Sequence, residues 1–153
     1  MSEVESAAVR AGAEAEASEV TRSVGFAISA TVAIVLLGIS QGVHWISSDD
    51  TLTSLTVWEA SGPLLVPYVV VWLLIFVTAA ASFAARPRYR RMLAAMGMGA
   101  LVFEALLAIA IAQRGLAAAA NPRSAYLGVG ITWLFAALVF AAVALGFAGS
   151  KRS

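Results

Sequence analysis

Glu104 stands in "GALVFEALLAIA", residues 99–110, in the middle of an apolar run long enough to cross a bilayer. A charged side chain at the centre of a membrane costs on the order of 3 kcal/mol, so ionisable groups at that depth face a bundle interior, a partner or water. No basic residue lies in any of the apolar runs to pair with it. Desolvation without a nearby cation favours the neutral acid, which can both donate and accept a hydrogen bond. Three roles follow for Glu104: a protonated structural acid that fixes helix register, a proton or cation site, or a contact to a partner subunit. On a helix, Gly97, Ala100, Leu101, Ala108 and Ile111 share its face and are largely small, which turns Glu104 toward a bundle interior. Depth counted along antiparallel neighbours brings Trp72, Thr132 and Trp133 level with it, and all three can hydrogen-bond a carboxyl group.

A second polar group gathers Ser40, Gln41 and His44, with Ser47, Asp49 and Asp50 just beyond. A hydrolytic triad needs a held geometry that a loop start does not promise, and a metal site needs more strong ligands than one His. His44 reads as an interfacial residue, and a lone His also argues against a bis-histidine haem. The chain has no cysteine, which removes disulfides, thiolate metal sites and CxxC redox chemistry. The expectation is a protein that is not an enzyme and carries no metal or cofactor.

The elements that must position these residues are plain in the composition. A chain of 153 residues with 61% hydrophobic and 12% charged positions lacks the polar surface of a water-soluble domain, so a lipid bilayer must cover most of it. Four apolar segments of about 20 residues or more, 24–46, 63–85, 92–113 and 125–149, each have the length of a membrane-crossing helix. The predicted fold is an all-α integral membrane protein, a four-transmembrane-helix bundle. Residues 1–23 form an Ala/Glu-rich head with five glutamates against two arginines, read as a solvated tail that is disordered or partly helical. Residues 150–153 form a short second tail. The first apolar run is too long for a signal peptide and shows no small-x-small cleavage site, so it is expected to be retained.

Charge sets the orientation. Arg86, Arg88, Arg90 and Arg91 lie between the second and third runs, and by the positive-inside rule this turn is cytoplasmic, with both termini on the same side. Eight basic residues then stand inside against Arg114 and Arg123 outside. This is the pattern of a multi-pass protein of a bacterial-type cytoplasmic membrane. On the outer side, Trp45 and Trp58 are expected at headgroup level as interface anchors. Thr56 with Glu59 has capping-box spacing ahead of the Gly62–Pro63 stop, while Leu55 and Val57 also fit a short extended segment, and the two readings stay open. The second outer loop, "RGLAAAANPRS", reads as a tight connection closed by Asn121 and Pro122.

Lipid offers no hydrophobic drive for helix association, so small residues mark where helices can approach. Gly38 with Gly42, Ala95 with Gly99, and Ala142 with Gly146 have small-xxx-small spacing. They are read as packing within the bundle, or alternatively as a seam between subunits. The four-span layout, the Trp-bearing first outer loop, "SGPLLVPYVVVWLL" entering the second span and the "RPRYRRML" turn resemble the small transmembrane proteins encoded beside tryptophan-biosynthesis genes. The likeness covers roughly residues 30–145 and brings a four-span fold with no activity attached. The functional expectation is a non-enzymatic accessory or scaffold subunit of a membrane complex, with a membrane-protein partner or a second copy bound and no nucleic acid. The alternative is a small oligomeric proton-coupled transporter or exporter built on Glu104.

Overall fold

The computed structural model describes residues 3–48, 54–119 and 125–150. Asp49, Asp50, Asn121, Pro122, Arg123, Lys151 and Arg152 lie outside the described residues, so the closure of the second outer loop and most of the C-terminal tail lie outside them as well. Four long helices make up the chain: α1 (Glu3–Gly42), α3 (Leu65–Ala84), α4 (Pro87–Ala118) and α5 (Val129–Gly149). Each belongs to a helical stretch long and apolar enough to cross a membrane. The short elements β1 (Ile46–Ser48), α2 (Val57–Ser61), a 3-10 turn (Gly62–Leu64) and β2 (Ala125–Leu127) all gather at one end, called here the ribbon end. The opposite end carries the tight connection between α3 and α4, called here the turn end.

Local sequence explains the breaks. Arg86 precedes Pro87, and a residue before proline is driven out of the helical region; Arg86 is extended, with ψ 149°, so α3 stops and α4 starts afresh with Pro87 in its first turn. Pro67 sits in the first turn of α3, where its missing N–H has no intrahelical partner to lose. At the ribbon end both readings of residues 55–59 are realised in succession. Leu55 is extended and bridged to Ile46, and the following residue caps α2 through a capping box in which the Thr56 N–H donates to Glu59 Oε2 at 2.8 Å.

Helix α1 departs from the expected limits at both ends. Its 40 residues make a rod of about 60 Å, twice the hydrocarbon thickness. The Ala/Glu-rich head is thus a continuous helical extension, exposed from Ala7 to Ala17. At the other end α1 stops at Gly42 rather than Ile46. The chain turns back there so that the Trp45 indole N–H donates to the Ser40 carbonyl at 2.8 Å, filling one of the acceptors a helix C-terminus leaves open. The corner also serves α5. Gly128 N–H donates to the Trp45 carbonyl at 2.6 Å and Gly130 N–H to the His44 carbonyl at 2.9 Å, so α1 and α5 share a hydrogen-bonded junction. A side chain at Gly130 would put a Cβ 2.5 Å from the Trp45 ring, which is why the close approach falls on a glycine. The antiparallel pairing of β1 with β2, Ile46 opposite Leu127, closes this end.

Helix α5 packs against all three other long helices, and α3 packs along α4. The buried stripe of α5, from Ile131 through Leu134, Ala137, Leu138 and Ala141 to Leu145, forms the middle of the core. The outward faces stay strongly apolar: Val66, Val77, Val102, Leu106 and Val139 are all more than half exposed.

Candidate functional site

The site is built on α3 and α4 about midway between the two ends. Glu104 is fully buried on the same face of α4 as Gly97, Ala100, Leu101, Ala108 and Ile111. The α3 face opposite carries Tyr68, Trp72, Ile75, Thr78 and Ser82, all buried, because these positions recur at helical spacing along one side. Register along this antiparallel pair is fixed by contacts in its turn-end half. Ser82 Oγ donates to the Arg90 carbonyl at 2.8 Å, and a Cβ on Gly97 would lie 2.8 Å from Thr78 Oγ1. Two turns nearer the ribbon end, the same register brings Trp72 level with Glu104. The Trp72 N–H nevertheless stops short of hydrogen-bond geometry: neither Glu104 oxygen nor Trp72 Nε1 has a partner. An unpaired polar group buried in protein is costly, so this pair of side chains marks where the fold tolerates strain.

Polar contacts lead from this centre only toward the ribbon end. Gln41 Nε2 donates to the Tyr68 hydroxyl at 2.7 Å and lies 3.0 Å from Ser40 Oγ, and Ser40 Oγ donates to the Leu37 carbonyl at 2.8 Å. The Tyr68 ring meets Trp45 edge-on, with centroids 5.9 Å apart. Ser40 and Gln41 therefore belong to a buried network with Tyr68 and Trp45, whereas His44 turns its side chain outward and contributes its carbonyl. Among the described residues no three His, Cys, Asp or Glu gather as a metal set.

Several expected positions fall elsewhere. Thr132 and Trp133 are exposed on α5, so of the three candidates only Trp72 is buried level with Glu104. Gly97 against Leu145 and Gly149 against Ala94 set the register of α4 and α5 so that Glu104 comes level with about Leu138, more than a turn nearer the turn end than Thr132 and Trp133, and a helix that is apolar all round gives no sign of which face turns inward. Trp45 is no interface anchor. It is completely buried, held by its bond to Ser40 and its packing on Tyr68, while Trp58 is exposed at the ribbon end as an anchor would be.

The small-residue pairs also differ from the packing expected of them. Gly38, Gly42, Gly99 and Gly146 all open onto empty space, Ala95 is exposed, and Ala142 is only half-buried against the core. The close approaches within the bundle use other glycines: Gly97 against Leu145, Gly115 against Ile46 and Ala60, and Gly25 against Phe147. At the turn end, Arg86, Arg88 and Arg91 are exposed. Arg90 instead is buried, its Nε donating to the Ala85 carbonyl at 3.1 Å, which makes it a tie across the α3–α4 turn.

Two functional candidates escaped the sequence reading. Tyr68 is the residue to which Gln41 donates, and its position one turn before Trp72 on the buried face of α3 was the available signal. Arg22 is buried beside α3, with its guanidinium 4.7 Å from the centroid of the Phe83 ring and 2.8 Å from Glu19. Comparison with protein-family models, with curated proteins and with solved structures returned no match.

Proposed function

We propose that this chain is a multi-pass integral membrane protein that works as a non-enzymatic subunit or scaffold of a membrane assembly. Its setting is a bacterial-type cytoplasmic membrane, with both termini and the α3–α4 turn inside. The eight-to-two excess of basic residues supports that orientation, and the exposed apolar side chains on every long helix support burial in lipid. One observation carries the assembly reading. Gly38 and Gly42 present a strip of bare backbone on the outside of α1, flanked by exposed Ile34, Val35 and Ile39, and nothing in the bundle covers it. Close backbone approach is what small residues in membrane helices permit, and here the chain's own bundle makes no use of it. The test is Gly38→Leu/Gly42→Leu, purified from native membranes into lipid nanodiscs beside the wild type. A partner or second copy lost from the variant, with the thermal midpoint of the bundle unchanged, supports the reading; identical composition of the two samples removes it.

A second reading, a small oligomeric proton-coupled transporter, is favoured by the fully buried and unpartnered carboxyl of Glu104. Reconstituted vesicles with an internal pH dye distinguish it. A proton flux present in the wild type and absent in Glu104→Gln supports transport, since Gln cannot release a proton.

A further inference from the structure

An open groove of about 220 Å³ runs between the ribbon-end halves of α1 and α3, lined by Leu37, Gln41, Trp58, Tyr68, Trp72 and Phe76 among others. Its exposed surface is apolar, but the polar atoms at and beneath its floor are unsatisfied. Gln41 Oε1, Trp72 Nε1 and both oxygens of Glu104 are buried without a hydrogen-bond partner. Trp72 joins the two layers, since it lines the groove and is buried on α3 level with Glu104 on α4.

The chemistry of this arrangement is lopsided. Of these four unpartnered atoms three are oxygens, and the one nitrogen is the Trp72 indole N–H. No described basic residue answers the carboxyl. Arg114 packs against Gly62, and the others belong to the turn end or to the N-terminal half of α1. Aromatic faces add to the demand for positive charge: Trp72 and Phe76 stack with centroids 5.5 Å apart, and Tyr68 and Trp58 complete the wall.

We infer that this groove binds a small molecule with an apolar body and one protonated amine. The body lies against the aromatic rings, and the ammonium passes the Trp72 indole to sit between Gln41 Oε1 and the Glu104 carboxylate. An alcohol or phenol of the same shape fills the groove but supplies one neutral donor to a site that offers three acceptors. Displacing Trp72 sacrifices no hydrogen bond, because its N–H completes none. The binding reading rests on Glu104 carrying a charge, as the transport reading does, but not on proton movement across a membrane.

Phenethylamine and phenethyl alcohol share one apolar body and differ in the head group, so they form the probe pair. Each is titrated into the protein in zwitterionic lipid nanodiscs and followed by tryptophan emission, with empty nanodiscs subtracted. The amine is expected to half-saturate at a concentration about tenfold or more below the alcohol. Glu104→Gln should erase that preference, and Gln41→Leu should weaken the amine several-fold while leaving the alcohol unchanged. Equal midpoints for the two probes in the wild type, or an amine preference that survives in Glu104→Gln, overturns the inference. Amine preference without proton flux keeps the site and sets transport aside; flux without amine preference does the reverse.

Discussion

At the scale of single residues, Glu104 is the test of what a buried acid does here. Its surroundings offer one imperfect donor, Trp72, and no cation among the described residues. Glu104→Gln keeps the shape and most of the hydrogen-bonding capacity and is expected to change bundle stability by no more than about 1 kcal/mol. Glu104→Ala leaves a cavity in the centre of the α3–α4 seam and is expected to cost about 2 kcal/mol or more, read as a lowered midpoint of thermal unfolding in nanodiscs. Glu59 lies instead at the exposed ribbon end. The Thr56 N–H and hydroxyl that donate to its carboxylate hold its titration below the ordinary value of 4.5. A depressed carboxylate stabilises the fold above its unfolded value and loses that contribution as pH falls through the folded one. Protection of the Ala60 amide, taken relative to its intrinsic exchange rate, is therefore expected to fall on acidification through and below pH 4.5. Glu59→Gln should remove that titration, whereas Thr56→Ala should only weaken it because the Thr56 N–H still donates. Glu104 was legible as the outstanding residue because an acid in an apolar run is rare. Its partners were only half legible: the count along α3 reached Trp72, but residues 125–127 pair in β2 instead of opening α5, so the count along that span missed the level of Glu104 and gave no sign of its rotation.

At the scale of elements, the four apolar runs were legible because crossing hydrocarbon demands about 20 apolar residues whatever the fold. The ribbon-end corner was not. Three-residue strands carry too little pattern to read, and the Trp45 indole is placed by the junction of α1 with α5 rather than by its neighbours in sequence. Glycine spacing misled for a related reason, because small-xxx-small pairs announce a possible close approach and not the partner. Gly97 and Gly38 make the contrast measurable. A Cβ on Gly97 would fall 2.6 Å from Leu145 Cδ2 and 2.8 Å from Thr78 Oγ1, whereas one on Gly38 meets nothing. Gly97→Ala is expected to destabilise the bundle by about 1–3 kcal/mol through overpacking, and Gly38→Ala to leave it unchanged, in the same thermal unfolding assay. Equal effects of the two substitutions would mean that α4 and α5 do not meet at Gly97 as described.

At the scale of the whole molecule, two asymmetries define the protein. The first is of charge: the turn end carries the exposed arginines Arg86, Arg88 and Arg91, and the acidic extension of α1 stands off the same end. In oriented membranes a cysteine at Tyr89 is expected to be shielded from an impermeant thiol reagent added outside, and one at Ser48 to be labelled; the reverse pattern would invert the topology. The second asymmetry is of packing, with bare backbone at Gly38 and Gly42 left outside a bundle that draws its helices together elsewhere. A photo-reactive residue placed at Ile39, exposed beside the two glycines, reports directly on what covers it in native membranes. The account predicts discrete protein adducts, to a partner or to a second copy, that disappear when Gly38 and Gly42 are both replaced by Leu. Adducts to lipid alone, unchanged by that replacement, would contradict it.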